Sequence, residues 1–435
     1  ARAVLAQHGM TLPAAPWRAL ASVLYQRARV RLRGLRFRER AVDEIPADRL
    51  ARFDACWSLT SLGLIDTIVG ADFGARQLRV ALAIGEPGRV ALSLAAEAVY
   101  ASQMSGAARS RRLLGLAAGL ADKVRRPHVL GIVAGDHGLV EYVFGNYALA
   151  REHLARSHRH FRECVGAAWE ISAVRLFELI CLGCEGKLAE LARKLPPILA
   201  EADDCGDLFA ATSMRVATEH LVLIAAGKPD AARASIDAAM ARWTQTGFQM
   251  QHRYALVTRV ELDLSQGRGR EAHLRIEERW REIERSMLLK IRQQRIETYS
   301  ARGRAAVAAA AEGHEPRRAL AIAARHADRI IDERMAWAVG QGLLIRAAVA
   351  HARGRDDEAA AALGQAIERL ESTGMELHAA VARRRLADLT GGDEGRRLAA
   401  RAAAWFTAAG VGDPDAFVRM LAPGFTRRAL PARHA

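Results

Sequence analysis

Apolar positions and glycines recur together along this chain at a spacing close to forty residues. One series of glycines is separated by steps of 37 to 46 residues: Gly145, Gly186, Gly227, Gly267, Gly313, Gly354 and Gly391. An aliphatic residue stands nine positions after six of these glycines: Leu154, Leu195, Ile236, Ile276, Ile322 and Leu363. A fixed period of this length indicates a chain built from structural repeats.

A second series of glycines divides most repeats into two halves, at Gly166, Gly206, Gly247, Gly374 and Gly410. Glycine takes the left-handed backbone conformation without the penalty that a Cβ brings, and therefore often follows the last residue of a helix. Each repeat is thus predicted to be a pair of helices with a glycine stop after each. Because one hairpin cannot bury its own apolar face, neighbouring hairpins stack. We predict an all-α, superhelical α-solenoid with a period of about 40 residues.

The pattern assigns nearly the whole chain to this solenoid. N-terminal helices and an arginine-rich segment fill residues 1–46, the continuous repeat region runs over 47–412, and 413–435 form a tail that we expect to fray. Before the regular hairpins, helices are expected near 48–69, 71–84, 88–104 and 107–125. The regular hairpins are predicted at 127–165, 167–205, 207–246, 249–286, 289–332, 335–373 and 376–409. Ala, Leu, Arg and Glu, all good helix formers, dominate the composition.

The positive charge of the chain leaves two interpretations open. The formal net charge is +15, yet only five of the 64 basic residues are Lys. An arginine excess of this kind arises from composition alone or from selection for a polyanion-binding surface. Seven arginines form one dense strip: Arg27, Arg29, Arg31, Arg33, Arg36, Arg38 and Arg40. This strip is either the exposed flank of an irregular helix end or a site that binds anions.

Sequence motifs for catalysis are missing. The chain has no G-x-x-x-x-G-K-[ST] phosphate loop, no G-x-S-x-G elbow and no kinase catalytic loop. Cys181 and Cys184 have the spacing of zinc ligands, but no second pair follows, which favours packed thiols. His153, His158 and His160 point in different directions along a helix. We therefore predict no catalytic, cofactor-binding or metal-binding residue.

A polar group on a glycine-rich stretch has a similar interpretation. Asp136, His137 and Glu141 alternate with Gly131, Gly135 and Gly138. Small residues allow helix backbones to approach, so the pattern is more typical of close helix packing than of a catalytic dyad.

The cysteines and the first residues predict a location. Five cysteines in 435 residues form no disulfide framework, and their odd number favours a reducing compartment. The first eight residues lack the apolar region of a secretory signal. We expect a cytoplasmic protein without a membrane partner and, since the chain does not begin with Met, a fragment of a larger protein.

Five stretches carry a resemblance to a known family, at 54–67, 168–170, 206–213, 242–252 and 289–297. Together they resemble the tetratricopeptide-like C-terminal region of large multidomain bacterial serine/threonine protein kinases. In that family a kinase domain is followed by a signal-transduction ATPase module and then by a long helical-repeat region. The units of this chain are longer than the 34-residue tetratricopeptide consensus.

The resemblance implies a non-catalytic interaction and regulatory arm, whose partner is another protein or the parent's own kinase and ATPase domains. ATP and Mg²⁺ would bind only in the N-terminal domains of such a parent. In tetratricopeptide-like hairpins the first helix of each pair faces the groove, which makes Trp169, Arg175, His252 and Tyr254 candidate contacts. The alternative is a helical-repeat regulator that binds nucleic acid or another polyanion through the arginine strip.

Overall fold

The protein is an all-α helical-repeat solenoid, described here by a computed structural model for residue 10 and residues 16–61, 67–104 and 106–425. These residues form helices and no strand. The helices before the regular hairpins are α1 (Pro16–Arg33), α2 (Ala47–Ser61), α3 (Thr67–Ile84), α4 (Pro87–Met104) and α5 (Ala107–Val124). The hairpins that follow are α6 (Pro127–Phe144) with α7 (Tyr147–Phe161), α8 (Ala168–Glu185) with α9 (Leu188–Asp204), α10 (Leu208–Met214) and α11 (His220–Ala225) with α12 (Pro229–Arg242), α13 (Met250–Ser265) with α14 (Gly269–Arg285), α15 (Arg292–Ala311) with α16 (Pro316–Ile331), α17 (Ala336–Ala352) with α18 (Asp356–Glu371), and α19 (Glu376–Thr390) with α20 (Gly392–Ala408). The last helix is α21 (Pro414–Leu421).

Ten of the twelve glycines of the two series follow the end of a helix within three residues, as predicted, whereas Gly166 and Gly247 lie five residues after α7 and α12 end. All twelve have positive φ, from 63° at Gly391 to 83° at Gly145. After Gly186, Gly227 and Gly354 the next helix begins two residues later, at Leu188, Pro229 and Asp356. The seven predicted hairpins are therefore confirmed, with bounds that agree to within a few residues.

The chain divides into two compact units. The first contains Ala1–Glu178, Gly247–Gln251 and Ser286–Gln293, and the second contains Leu179–Thr246, His252–Arg285 and Gln294–Ala435. The short segment 286–293 belongs to the first unit because it docks on the end of α4. There the Arg292 guanidinium donates to the Ser102 carbonyl at 3.1 Å, and the Gln293 amide donates to the Gln103 side chain at 3.2 Å.

In the regular hairpins the first helix, called the inner helix below, is more deeply buried than the second. In α17 most residues are buried, whereas α18 buries only a stripe formed by Ala359, Ala362, Leu363, Ala366 and Leu370. A helix that is apolar on all sides must be covered on all sides, while an amphipathic helix needs one partner. The inner helices consequently carry most of the core.

Glycine-rich α6 in the first unit packs closely against α7, as its sequence predicts. A Cβ on Gly131 would lie 2.6 Å from the Phe161 ring, and one on Gly138 would lie 2.7 Å from Leu154. Ser157 of α7 donates a hydrogen bond to the Gly131 carbonyl at 2.7 Å. The glycines thus allow α6 and α7 to pack closely together.

A π turn over Arg215–Glu219 joins α10 to α11. A π turn widens the helix and leaves backbone groups available to partners outside it. Here Thr258 of α13 donates to the Val216 carbonyl at 2.6 Å. The turn therefore links two successive inner helices of the second unit through the main chain.

Two sequence-based expectations about element bounds were wrong. The helix break expected near residue 70 is absent, because α3 continues through Gly70 and Gly74. The stretch after residue 412 does not fray as far as Phe425: Asp413 caps the N-terminus of α21, and Phe417, Met420 and Leu421 are buried. The part of the expected N-terminal helices that precedes Pro16 lies, apart from residue 10, outside the described residues.

Gly186 and Gly227 both have positive φ, but only Gly186 is crowded by neighbouring atoms. Alanine substitutions at the two positions therefore distinguish backbone strain from steric crowding. We expect Gly227→Ala to lower the free energy of unfolding by about 1 kcal/mol, because φ is +70° and no atom lies within 4 Å of the added Cβ. We expect Gly186→Ala to cost about 2 to 4 kcal/mol, because its Cβ would also lie 2.9 Å from the Leu377 backbone nitrogen. Urea denaturation of the two variants measures the difference, and equal costs would contradict the close approach at Gly186.

Candidate peptide-binding surface

Residues 412–425, called the C-terminal segment below, lie against the inner helices of the second unit. At its start the Gly412 amide donates to the Ala225 carbonyl of α11 at 2.9 Å. Within α21 the Arg419 guanidinium donates to the Ser265 carbonyl of α13 at 2.8 Å. The segment is thus tied to the last turns of two successive inner helices.

Two arginines of the next inner helices hold the main chain of the segment. Arg304 of α15 donates from Nη1 to the Met420 carbonyl at 2.8 Å. Arg385 of α19 donates from Nε to the Ala422 carbonyl at 2.8 Å. The last carbonyls of a helix have no partner within it and carry its negative dipole end, so two guanidinium groups satisfy and stabilise the end of α21.

Aromatic and apolar side chains fill the remaining contacts. Phe417 is fully buried, and Val418, Met420, Leu421 and Ala422 are nearly so. The Phe425 ring stacks on His351 of α17, with ring centroids 5.1 Å apart and an interplanar angle of 17°. The Arg385 guanidinium lies 5.2 Å from the centre of the same ring. Five inner helices, from α11 to α19, therefore contribute to one surface.

A buried charge network supports Arg304. Its Nη2 donates to Glu261 of α13 at 2.8 Å, and His220 of α11 lies 3.0 Å from the other Glu261 oxygen. Burial alone would raise the pKa of Glu261, but the hydrogen bond from His220 and the charge of Arg304 lower it to about 2. Glu261 is therefore ionised at neutral pH and fixes the direction of the Arg304 side chain.

His378 of α19 borders this network in its neutral form. Burial lowers its pKa to about 4, and the positive charge of Arg304 adds to the effect. Its Nδ1 is buried and has no hydrogen-bond partner among the described residues. A neutral imidazole at this point avoids a second positive charge beside Arg304.

The solenoid contacts the C-terminal segment largely through the segment's backbone. Guanidinium groups donate to main-chain carbonyls, which every residue type carries, while apolar side chains enter the space between the inner helices. The guanidinium donors therefore fix the position of the segment. The buried side chains of Phe417 and Met420 determine which sequences fit. No group here is arranged to act as a nucleophile beside a general base.

The four candidate contacts predicted from the sequence do not lie together in one unit. Trp169 and Arg175 are half-buried residues of the first unit. His252 and Tyr254 belong to the second unit, and Tyr254 is buried on α13. Burial raises the pKa of the Tyr254 phenol to about 12, and burial lowers the pKa of His252. Tyr254 is thus a core residue in this structure.

The arginine strip follows the end of α1 and the extended chain after it. Arg29, Arg31, Arg33, Arg36 and Arg38 are exposed, and Arg27 and Arg40 are half-buried. Two members hold the fold together. Arg27 pairs with Glu97 and stacks on the Tyr100 ring, and Arg33 donates to the carbonyls of Gly34, Arg36 and Leu82.

The remaining sequence candidates also have structural surroundings. Cys181 is buried and Cys184 half-buried in the inner helix α8. The rings of His137 and His153 lie 5.0 Å apart between α6 and α7, and burial raises the pKa of Asp136 to about 7. Across the described parts of the chain, no three His, Cys, Asp or Glu side chains are placed to hold a metal ion.

One stretch has the length and apolar composition of a membrane span. It is Leu208–Ala225, which forms α10, the π turn and α11, and 61% of it is buried inside the protein. That burial is what an inner helix of the solenoid requires.

Comparison with protein-family models, with curated proteins and with solved structures gives no match to this chain.

Replacement of Arg304 tests the network under the C-terminal segment. We expect Arg304→Met to lower the free energy of unfolding by about 2 to 4 kcal/mol, since Glu261 loses a buried partner and the Met420 carbonyl loses its donor. Arg346→Met is the matched control, because Arg346 pairs with Asp328 on the surface and should cost less than about 1 kcal/mol. Urea denaturation measures both, and similar values would show that Arg304 holds nothing together.

The low pKa of His378 predicts how stability changes with pH. In the unfolded chain a histidine takes up its proton near pH 6.5, but folded His378 does so only near pH 4. Between these values the unfolded state binds more protons, so the contribution of neutral His378 to stability is present above pH 6.5 and is lost as the pH falls towards 4. We expect His378→Gln to reduce the slope of the unfolding free energy against pH in this window. At pH 7 to 8 the difference between variant and parent should stay constant; an unchanged slope below pH 6.5 would contradict the assignment.

Proposed function

We propose that this chain is a non-catalytic protein-interaction and regulatory arm, of the kind attached to a bacterial serine/threonine kinase with an ATPase module. The repeat architecture supports an interaction role, since stacked hairpins create extended binding surfaces. The kinase connection rests on the sequence resemblance alone. ATP and Mg²⁺ would then bind elsewhere in the parent, and the site of action would be cytoplasmic.

The observation that carries the proposal is the pair of hydrogen bonds from Arg304 and Arg385 to main-chain carbonyls of residues 412–425. A surface that places charged donors opposite peptide carbonyls, with apolar space between them, has the chemistry of peptide recognition. A regulatory arm acts by binding one arrangement of its partner better than another. The inner helices of the second unit offer such a surface.

The polyanion alternative uses the exposed arginines of the strip. Its exposed members are Arg29, Arg31, Arg33, Arg36 and Arg38. They lie on a helix end and an extended chain, with the Arg40 amide tied to the Gly85 carbonyl at 3.0 Å. Charge on its own supports weak, salt-sensitive binding to any phosphate backbone.

Kinase and nucleotide assays test the proposal. We expect the purified chain to hydrolyse no ATP and to phosphorylate no protein, since no sequence motif for either reaction is present. We expect deletion of the chain from the parent to change the rate or the partner choice of kinase activity while its active site remains functional. Stoichiometric ATP turnover by the chain, or a parent whose activity and partners ignore the deletion, would refute the proposal. Nanomolar binding of nucleic acid at physiological salt would favour the polyanion alternative.

A further inference from the structure

We infer that the C-terminal segment, residues 412–425, is an intramolecular ligand that occupies a peptide-binding surface. The partner that replaces it is a protein segment of the same chemistry: one short amphipathic helix with a central phenylalanine, followed by a Gly-Phe turn. This inference rests on the proposed interaction function and names its ligand and its regulation. The surface is open to a partner only when the segment leaves.

The segment is not a repeat element. Each regular hairpin pairs an inner helix with the helix that follows it, and the last such pair is α19 with α20. Helix α21 instead packs on α19 and on α11, two inner helices far apart in sequence. Helix α21 therefore binds to the surface of the solenoid and does not continue the series of hairpins.

The contacts have the character of peptide binding. Arg304 and Arg385 donate hydrogen bonds to carbonyls of the segment, and the Arg385 guanidinium also lies over the Phe425 ring. Gly424 has φ of +87°, and a Cβ there would lie 2.2 Å from the Val307 side chain. Only glycine fits at this position, because any side chain would collide with α15. The backbone turns at Gly424 and places the Phe425 ring on His351.

The connection to α20 provides a hinge. Gly410 is exposed and has φ of +71°, and Gly412 lies two residues further on. Glycine backbones accept large changes of φ and ψ, so the segment can leave while α20 stays in place. The Asp413 cap travels with the helix, since it binds the Ala416 amide inside the segment.

The side chains of the segment define the occupant. Its buried face is apolar, whereas Asp415 is mostly exposed and forms an ion pair with Arg384 of α19 at 3.9 Å. Arg419 binds a carbonyl of the solenoid and pairs with Asp413 of its own helix. A nucleic acid presents neither a phenylalanine nor main-chain carbonyls. The surface consequently fits a polypeptide with one apolar helical face.

Cleavage of the hinge tests exchange in the full chain. A protease site inserted after Gly412 frees residues 413–435 once cut, and a fluorescein-labelled peptide of residues 413–425 is the probe. We expect the cut chain to keep its helical circular dichroism and to bind the probe, seen as a rise in fluorescence anisotropy. The uncut chain should bind it at least about a hundredfold more weakly, because the tethered segment competes at an effective concentration near millimolar.

Matched variants identify the contacts. In the peptide, Phe417→Asp should abolish competition, because it brings a charge into a fully buried position. Asp415→Asn should compete to within about threefold of the parent peptide, because its ion pair with Arg384 is exposed and contributes little. In the protein, Arg385→Ala should weaken probe binding about tenfold. Arg346→Ala should leave it unchanged, because Arg346 of α17 pairs with Asp328 on the surface.

Three results would overturn the inference: a cut chain that unfolds, a cut chain that binds no probe, or an uncut chain whose segments are exchanged between two copies in a dimer. The first two make the segment a structural cap, and the third makes its partner a second copy of this chain. No kinase is present in the titration. A chain that exchanges the peptide but leaves the parent kinase unaffected therefore contradicts the proposed regulatory role and leaves this inference in place.

Discussion

Every helix pair in this protein leaves an apolar face that it cannot bury, and the rest of the structure depends on covering that face. A helix that ends at a glycine with positive φ can reverse direction within two residues, which brings the next helix onto the exposed side. The pattern repeats from Gly145 to Gly391. Inner helices such as α17 become apolar nearly all round, while outer helices such as α18 keep a polar surface.

Burial of the inner helices creates a second requirement, because some of their side chains are charged. Glu261 pairs with both His220 and Arg304, and the Nη1 of Arg304 donates to the Met420 carbonyl. Removing one member of such a buried network destabilises the fold, because its partner is left as an unpaired buried charge. The C-terminal segment completes it, which explains why a sequence stretch with three prolines forms an ordered, buried helix as far as its second proline.

The solenoid was predictable from the sequence because its signal is local and repeated. A glycine nine residues before an aliphatic position indicates both a turn and a core residue. Five of the six aliphatic residues are buried, and Ile322 is half-buried. Asp413 and Pro414 also carried the mark of a helix start, but the prolines after residue 412 favoured a tail. The roles of Arg304 and Arg385 had no local signal. Each is one arginine among many on an Arg-rich chain, and only its distance to Met420 or Ala422 separates it from the others. The contact candidate Tyr254 was chosen by helix order, which does not report that its side chain points into the core.

The close approach of Gly186 to Leu377 and Trp405 has a consequence for how this protein can change over time. In an open repeat array each unit touches only its neighbours, so units can be duplicated or lost without damage to the remainder. Here a turn near the start of the second unit meets helices near its end, and residues 412–425 touch five inner helices in fixed order. Removing or adding one hairpin between these points would displace every such contact. Contacts between the two ends of the unit favour cooperative unfolding of the whole unit over the gradual fraying of an open array.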